Sequence, residues 1–292
     1  MITALTYLRA WLIGADRRVC PRAGAVAGPY ADAAQFELPV WTPATTEAFA
    51  TYGVIDRGAI AQPIIAPTGV FTQFGALEIT TSSTALQALT DAFLYLLAYP
   101  YECSEQIASR ILAVAALRDV LEAFRAEGLP APEEIDRAMA RDIETLQNLQ
   151  NADGGFAIWA RGRESWPFHS IHAAHALARA RQKDYPVSEE VIQRALAYLR
   201  DIESHYPDWY SPDVRHSLSA YALYTRLQLG DPDPAKARAL LKEAGLESLQ
   251  PEALGWIYNV LVGDAASGEA VRQIERYLAN RVVETAGAAH FT

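Results

Sequence analysis

Residues 99–110 read YPYECSEQIASR, and this stretch separates two segments that each have a helical pattern. The Tyr-Pro-Tyr part interrupts the first segment, because proline lacks a backbone N–H and disfavours helix in the residue before it. A second helix is predicted after Cys103. Cys103 and Gln106 are one helical turn apart, so the Cys sulfur can meet the carbonyl of the Gln side chain. Attack of the sulfur on that carboxamide, with loss of ammonia, would give an internal thioester, which is an acyl group stored for transfer.

The helical pattern extends on both sides of this stretch, from about residue 83 to near the end of the chain. Ser83 or Thr84 is a suitable N-cap for the first helix. The helix after Cys103 is predicted to end near Gly128, and a third helix is predicted to start within 129–132. Further helices are predicted at 166–182, 189–203, 213–229, 234–244, 251–262 and 268–283.

An internal repeat runs through these helices. The sequence His-Ser-Ile-x-Ala at 169–173 recurs as His-Ser-Leu-x-Ala at 216–220, which is 47 residues later. Each copy opens a helix that a second helix follows, and this is typical of stacked αα hairpins. Such hairpins closed into a ring form an α/α toroid. The connector 150–159, QNADGGFAIW, has paired glycines that permit a tight turn, and its aromatic residues are predicted to plug the end of the barrel.

Upstream of the helices the pattern is that of short strands. Residues 36–82 contain candidate strands at 36–41, 70–74 and 77–81 and a further group of strand formers at 49–55. These strands are too few and too short for a separate stable sandwich, so we expect them to pair with strands outside this chain or to pack on the helical part. Residues 1–35 contain four Arg and clusters of Gly, Ala and Pro. They are expected to be an atypical leader, poorly ordered, or part of a preceding domain.

Composition and charge narrow the class of protein. Hydrophobic residues make up 51% of the 292 residues, which is ample for a packed core, and the formal net charge is −10. A chain this acidic is not expected to bind nucleic acid or an anionic membrane surface. No apolar run reaches the roughly 18 residues of a membrane span, and we identify no signal peptide. The two cysteines, Cys20 and Cys103, are too few for a disulfide framework.

The stretch 99–110 resembles the thioester motif of bacterial alpha-2-macroglobulins, and related Cys-x-Glu-Gln motifs occur in complement thioester proteins. Residues 38–53, LPVWTPATTEAFATYG, are similar to the segment that leads into the same domain in that family. The run GALEI at 75–79 is similar to the approach to the helical domain, and DGGF at 153–156 resembles connectors of thioester domains. The resemblance covers roughly residues 24–292.

The resemblance implies a mainly α fold. It implies a thioester-containing α/α toroid domain at 83–292, partial because it is truncated at the C-terminus, preceded by the strand segment 36–82 and by residues 1–35. It further implies a fragment of a broad-range endopeptidase inhibitor rather than an enzyme, with no cofactor and no metal. Its partners would be target proteases and the remaining domains of the parent protein. Family members typically work in the bacterial periplasm or cell envelope.

The resemblance also assigns roles to the motif residues. Cys103 supplies the sulfur and Gln106 the acyl carbon of the thioester cross-link. When a protease cuts the bait segment, the thioester is exposed, a Lys amine of the protease attacks it, and the protease is trapped through the Gln106 acyl group. The Cys103 thiolate is the leaving group. We expect Glu105 to orient the motif, and we expect Tyr99 and Tyr101 to shield the thioester from water.

The histidines are weaker candidates for functional residues than the thioester motif. His169, His172 and His175 occur at i, i+3 and i+6, and helical rotation spreads them over the surface, so packed histidines are favoured over a metal site. Some thioester proteins use a His to form an acyl-imidazole. His205 and His216 lie in the region where that residue could fall.

Two other classes of protein remain open. α/α toroids also house terpene cyclases and prenyltransferases, although this chain has no D-x-D-D motif and no convincing set of zinc ligands. The second alternative is a helical-repeat module that binds peptides and carries an inactive motif. Glu102 keeps this alternative open, since the family usually has Gly before the Cys.

Overall fold

The computed structural model describes residues 12–13, 18–19, 22–39, single positions and short runs between 49 and 81, and then 88–123, 129–285 and 288–291. The chain divides into two compact units, Met1–Glu78 and Ile79–Thr292. Of the helices that the structure describes, none combines the length and the apolar character that a membrane crossing requires.

The first unit contains short antiparallel strands. They are β1 Leu12–Ile13, β2 Arg18–Val19, β3 Arg22–Ala27, β4 Tyr30–Gln35 and β5 Leu38–Pro39. β2 lies between β1 and β5 in a three-stranded sheet, and β3 pairs with β4 along its whole length. This β3–β4 hairpin turns at Gly28, whose φ of 61° is readily adopted by glycine.

These strands differ from the predicted ones. The described part of residues 1–35 forms short strands, where a poorly ordered leader was one of the two expectations. Within 36–82, the described strand is Leu38–Pro39. Residues 77–79 do not form the predicted strand, because a strand needs a neighbour to share its backbone hydrogen bonds and the structure describes none beside them. The candidate at 70–74 lies outside the described residues.

The second unit is helical, and the predicted mainly α class is confirmed. Its described helices are α1 Ala88–Ala98, α2 Ser104–Ala123, α3 Pro132–Asn148, α4 Pro167–Gln182, α5 Glu189–Arg200, α6 Pro212–Gln228, α7 Pro234–Ala244, α8 Pro251–Leu261 and α9 Gly268–Arg281. The predicted helices from residue 166 onward agree with α4 to α9 to within three residues at each end. Five of the described helices, α3, α4, α6, α7 and α8, begin with proline. The fixed φ of proline suits the first helical position. The predicted cap at Ser83 or Thr84 lies outside the described residues.

The helices pack in two layers. α2, α4, α6 and α8 lie side by side, each against the next, while α3, α5, α7 and α9 each pack on the helix that precedes them. Successive αα hairpins produce this alternation. The internal repeat falls in the neighbouring helices α4 and α6, where Ala173 and Ala220 are both fully buried. The repeated small residue therefore lies in the packed interior of the helical unit.

A hairpin that was not predicted follows α9. β6 Val282–Thr285 pairs antiparallel with β7 Ala288–Phe291. The helical pattern was expected to continue to residue 283. Val282 and Val283 are β-branched and favour a strand, which explains why the helix ends at Arg281.

Candidate functional site

Cys103 and Gln106 meet at the N-terminus of α2. Cys103 is the N-cap, and its carbonyl accepts a hydrogen bond from the Ile107 N–H at 3.0 Å. The Cys103 N–H donates to Oε1 of Gln106 at 3.0 Å. This contact is the half of a capping box in which the third helical residue reaches back to the N-cap. It places the Gln106 carboxamide beside Cys103, whose thiol is free and whose side chain is buried.

The connector 150–159 packs against the start of α2. The Ser104 N–H donates to the carbonyl oxygen of Ile158 at 2.9 Å, which gives a partner to one of the N–H groups left over at a helix start. Phe156 is fully buried, whereas Trp159 is 65% exposed. The prediction that the connector's aromatic residues plug the end of the barrel is not met by Trp159, because 159–164 form an exposed loop.

Arg110 binds three groups around the motif. Its guanidinium donates to Asp142 of α3 from Nε at 2.5 Å and from Nη2 at 3.0 Å, and to the Tyr99 carbonyl oxygen from Nη1 at 3.2 Å. The side chains of Arg110 and Asp142 are each 4% exposed, so this is a buried bidentate pair. Oε1 of Glu102 lies 3.6 Å from Nη2 of Arg110. The acidic residue that replaces the usual glycine thus has a cation as its neighbour.

Tyr99 and Tyr101 pack against each other. Their rings meet edge to face with centroids 5.5 Å apart, and Tyr99 also contacts Tyr95 with centroids 5.5 Å apart. Tyr101 is 60% exposed. The shielding role of the two tyrosines and the orienting role of Glu105 stay predictions.

Glu105 belongs to a chain of hydrogen bonds that joins three helices. Its Oε1 accepts from Ser109 Oγ at 2.7 Å, and this Oγ lies 3.0 Å from Nε2 of His172 in α4. Nδ1 of His172 lies 2.8 Å from the hydroxyl of Tyr221 in α6. The same hydroxyl lies 2.9 Å from Nδ1 of His175. We call these five residues the Glu105–His175 chain.

Aromatic packing fixes the rings of the Glu105–His175 chain, and burial sets the protonation state of its two histidines. Phe168 stacks on His172 with centroids 5.5 Å apart, and Trp256 of α8 stacks on Tyr221 at 4.3 Å. Burial lowers the pKa of His172, although the charge of Glu105 opposes this shift. Burial, assisted by the charges of His172 and Arg179, lowers the pKa of His175 to about 4. Both imidazoles are therefore neutral at pH 7.

His205 and His216, the two candidates for an acyl-imidazole, contact residues outside the motif. His205 stacks on Tyr198 of α5 with centroids 3.8 Å apart, and Nε2 of His216 lies 3.7 Å from Oε1 of Glu243 in α7. These contacts give no support to an acyl-imidazole role for either histidine. The part of the chain that the structure describes contains no group of three or more His, Cys, Asp or Glu able to hold a metal ion.

Ser109 and Tyr221 were not predicted as site residues, and the sequence did not connect His172 with Glu105. The i, i+4 spacing of Glu105 and Ser109 was a usable signal, because residues with that spacing are neighbours on a helix. No comparable signal connects Tyr221 with His172. Only the packing of α4 against α6 brings them together.

No family model matches the chain. Among curated proteins, Circularly permutated Ras protein 2 of Dictyostelium discoideum is 27% identical over 294 residues, which cover 91% of this chain and 7% of that protein. Alpha-2-macroglobulin of Rickettsia conorii is 26% identical over 137 residues, 46% of this chain and 7% of the relative. Alpha-2-macroglobulin of Thermotoga maritima is 30% identical over 135 residues, 46% and 8% of the two chains. This chain thus spans less than a tenth of the length of these relatives.

Solved structures of bacterial alpha-2-macroglobulins share the fold. Native Escherichia coli alpha-2-macroglobulin from domain MG7 to the C-terminus gives a TM-score of 0.55 at 23% identity, over 65% of this chain and 31% of that one. Salmonella alpha-2-macroglobulin reacted with methylamine gives a TM-score of 0.54 at 22% identity, over 66% of this chain and 12% of that one. Trypsin-activated Escherichia coli alpha-2-macroglobulin gives a TM-score of 0.54 at 23% identity, over 62% of this chain and 13% of that one.

Proposed function

Since this chain belongs to the bacterial alpha-2-macroglobulin family, we propose that it carries the reactive thioester of a protease-trapping inhibitor. Cys103 and Gln106 form the internal thioester, and the Gln106 acyl group is transferred to an amine of the target protease. The observation that carries the proposal is the 3.0 Å hydrogen bond from the Cys103 N–H to Gln106 Oε1, which holds the carboxamide beside the backbone of Cys103, a residue that is buried.

The chemistry needs only these two side chains and an outside amine. In thioester formation, the Cys103 sulfur bonds to Cδ of Gln106, the Cδ–Nε2 bond breaks, and the thiol proton leaves with the nitrogen as ammonia. In trapping, the amine nitrogen bonds to Cδ, the Cδ–Sγ bond breaks with its electron pair going to sulfur, and a proton from the amine returns to the thiolate. No oxidant or metal enters either step.

Two structural neighbours support this choice of reactants. One is an alpha-2-macroglobulin reacted with methylamine, and another is an alpha-2-macroglobulin activated by trypsin. By the same reasoning the partners of this chain are target proteases and the other domains of its parent protein, in the periplasm or cell envelope. The two-layered packing of α2 to α9 supports the assignment of 83–292 to an α/α toroid thioester domain.

The surrounding residues have supporting roles in this proposal. Tyr99 and Tyr101 limit access of water to the thioester, which otherwise hydrolyses to a thiol and a carboxylate. Glu105 orients the first turn of α2, in which Gln106 lies. Arg110 neutralises Glu102 close to the thiol.

Intact mass and methylamine uptake test the proposal. Freshly purified protein should have a mass lower than that of the sequence by one ammonia. Methylamine should then add to Gln106 and release one titratable thiol at Cys103. In the parent protein, which also contains the bait segment, incubation with trypsin should give a covalent adduct that survives denaturation and contains Gln106 joined to a Lys of the protease.

Matched variants define the controls. Cys103→Ala and Gln106→Glu should each abolish the mass deficit and the uptake, since one lacks the sulfur and the other lacks the carboxamide nitrogen. Cys20→Ala should retain both. A wild-type protein with neither mass deficit nor methylamine uptake would contradict the proposal and favour the toroid enzyme or the inactive repeat module.

A further inference from the structure

The Glu105–His175 chain has a defined direction. Its four links are 2.7 to 3.0 Å long, and each needs one proton between its two heavy atoms. An ionised carboxylate only accepts, so the Ser109 hydroxyl proton points to Glu105. Ser109 Oγ must then accept from His172, which places the proton of this neutral imidazole on Nε2.

The order of donors and acceptors extends into α6. With its proton on Nε2, His172 can only accept at Nδ1, so the Tyr221 hydroxyl donates to it. A hydroxyl has one proton, and Tyr221 must therefore accept from His175. The proton of His175 is thus on Nδ1.

The far end of the chain supports this direction independently. Nε2 of His175 is buried and has no hydrogen-bond partner among the described residues. The derived tautomer leaves only a lone pair at this atom. The opposite tautomer would bury an N–H without an acceptor, which is costly in a protein interior. Glu105 at one end of the Glu105–His175 chain and His175 at the other therefore require the same order of donors.

We propose that His172, acting through Ser109, is a positioning residue that fixes Glu105 and with it the Cys103–Gln106 pair. This inference rests on the proposed thioester function. Glu105 and Gln106 are adjacent in the first turn of α2, and Ser109 is one turn further along the same helix. His172 and Tyr221 anchor that turn to α4 and α6, and the stacking of Phe168 and Trp256 fixes the two rings.

Such anchoring matters because acyl transfer within a protein depends on the alignment of the reacting atoms. A displacement of about 1 Å can lower the rate of an aligned reaction by roughly 100-fold. Loss of the His172–Ser109 link should therefore slow thioester formation and methylamine uptake without abolishing them. His172 touches neither Cys103 nor Gln106 in the hydrogen bonds described, so its effect is indirect.

The histidine tautomers test the chain directly. In ¹⁵N-histidine-labelled wild-type protein at neutral pH, long-range proton–nitrogen correlations should show His172 protonated at Nε2 and His175 protonated at Nδ1. Ser109→Ala and Tyr221→Phe assign the signals, and Tyr221→Phe keeps the ring that stacks on Trp256 while removing only the hydroxyl. The reversed tautomer at either histidine overturns the proposal, whether or not a thioester forms.

Kinetics test the positioning role. His172→Phe keeps an aromatic ring but no hydrogen bond, and it should slow methylamine uptake roughly tenfold or more. Ser109→Ala should have a similar effect, and the double variant should be no slower than the slower single variant, because both changes break the same link. His172→Gln keeps an N–H that can reach Ser109 and should restore part of the rate. Tyr258→Phe, which removes a hydroxyl bonded to Glu275, is the matched control and should react like wild type.

The outcomes separate this inference from the proposed function. A wild-type protein without methylamine uptake contradicts the proposed thioester. Its histidine tautomers still decide whether the Glu105–His175 chain of hydrogen bonds exists. Normal uptake in His172→Phe and Ser109→Ala overturns the positioning role. Additive losses in the double variant also overturn it, because they show that the two residues act separately.

Discussion

At the scale of single residues, Arg110 connects several groups around the motif. It is 3% exposed, and its guanidinium joins Asp142 of α3 to the backbone of Tyr99 and to the carboxylate of Glu102. A single buried cation thus connects the segment before Cys103 with a second helix. Removing it would leave the Asp142 carboxylate buried, with the mostly exposed Arg141 as its remaining cation.

We predict that Arg110→Met lowers the free energy of unfolding by about 3 kcal/mol, because it breaks a buried ion pair and leaves the buried Asp142 carboxylate with only the mostly exposed Arg141 as a partner. Urea unfolding measures this loss. The double variant Arg110→Met/Asp142→Leu should recover much of it, since it removes both charges. Arg272→Met, which breaks an exposed pair with Glu269, is the control and should have a much smaller effect. Equal losses in Arg110→Met and Arg272→Met would show that the buried pair contributes no more to the free energy of unfolding than the exposed pair.

His175 should make stability depend on pH. Its pKa is about 4 in the folded protein against 6.5 for an ordinary histidine. Between these values the unfolded chain binds a proton that the folded protein does not bind. The free energy of unfolding therefore falls as the pH decreases from 6.5 towards 4, by at most about 3 kcal/mol. The lowered pKa values of His169 and His172 act in the same direction.

Denaturant unfolding at a series of pH values checks this prediction. The loss of stability below pH 6.5 should be smaller in His175→Gln than in wild type, because glutamine does not titrate. An unchanged pH dependence in His175→Gln would contradict the assignment of this effect to His175.

At the scale of elements, the connector 150–159 sets the position of α2 relative to α5. Its Ile158 carbonyl accepts a hydrogen bond from the first N–H of α2, and the connector crosses the α5 backbone closely at Gly154. The φ of Gly154 is 90°, and a Cβ there would overlap the carbonyl oxygen of Arg194. Glycine is therefore required at this point by both conformation and space.

Gly154→Ala should destabilise the protein by more than about 2 kcal/mol, because the strained φ adds to the overlap with backbone atoms. Gly162→Ala is a matched control. Gly162 has a φ of 88°, but nothing lies within 4 Å of the position that a Cβ would occupy, so only the conformational cost of about 1 kcal/mol applies. Thermal unfolding of the two variants gives the difference. Equal melting temperatures would mean that the connector shifts freely away from α5.

On the scale of the whole molecule, the described residues of the two units differ in how many of their side chains are buried. α4 and its neighbours surround a large set of fully buried side chains, including Ile171, Leu177 and Phe156. By contrast, every residue of β4 is exposed. Segments with few buried apolar contacts open at lower free energy than packed helices.

Hydrogen exchange should therefore distinguish the units. Amides of the β3–β4 hairpin should exchange much faster than those of 171–180 in α4, and mass spectrometry after proteolysis can resolve the two segments. Comparable protection in both segments would mean that another surface covers the hairpin in solution.

The sequence by itself determined the helices from residue 166 onward and the contact between Cys103 and Gln106. Apolar spacing, prolines at helix starts and the 47-residue repeat are local signals, and they placed α4 to α9 within three residues at each end. The Cys103–Gln106 contact is also local, because residues one helical turn apart meet whenever the helix forms. The stretch 99–110 therefore contained enough information for this contact.

Only the tertiary structure decided what surrounds that pair. His172, Tyr221 and Asp142 are 32 or more residues distant from their partners on α2 or α4 in the sequence, and no local pattern links them. The strand predicted at 77–81 is absent at 77–79, and the hairpin β6–β7 was not predicted, for a related reason. A strand depends on a neighbour that sequence spacing does not specify. Contacts between helices and between strands arise from packing of the whole chain, so the Glu105–His175 chain became visible only in three dimensions.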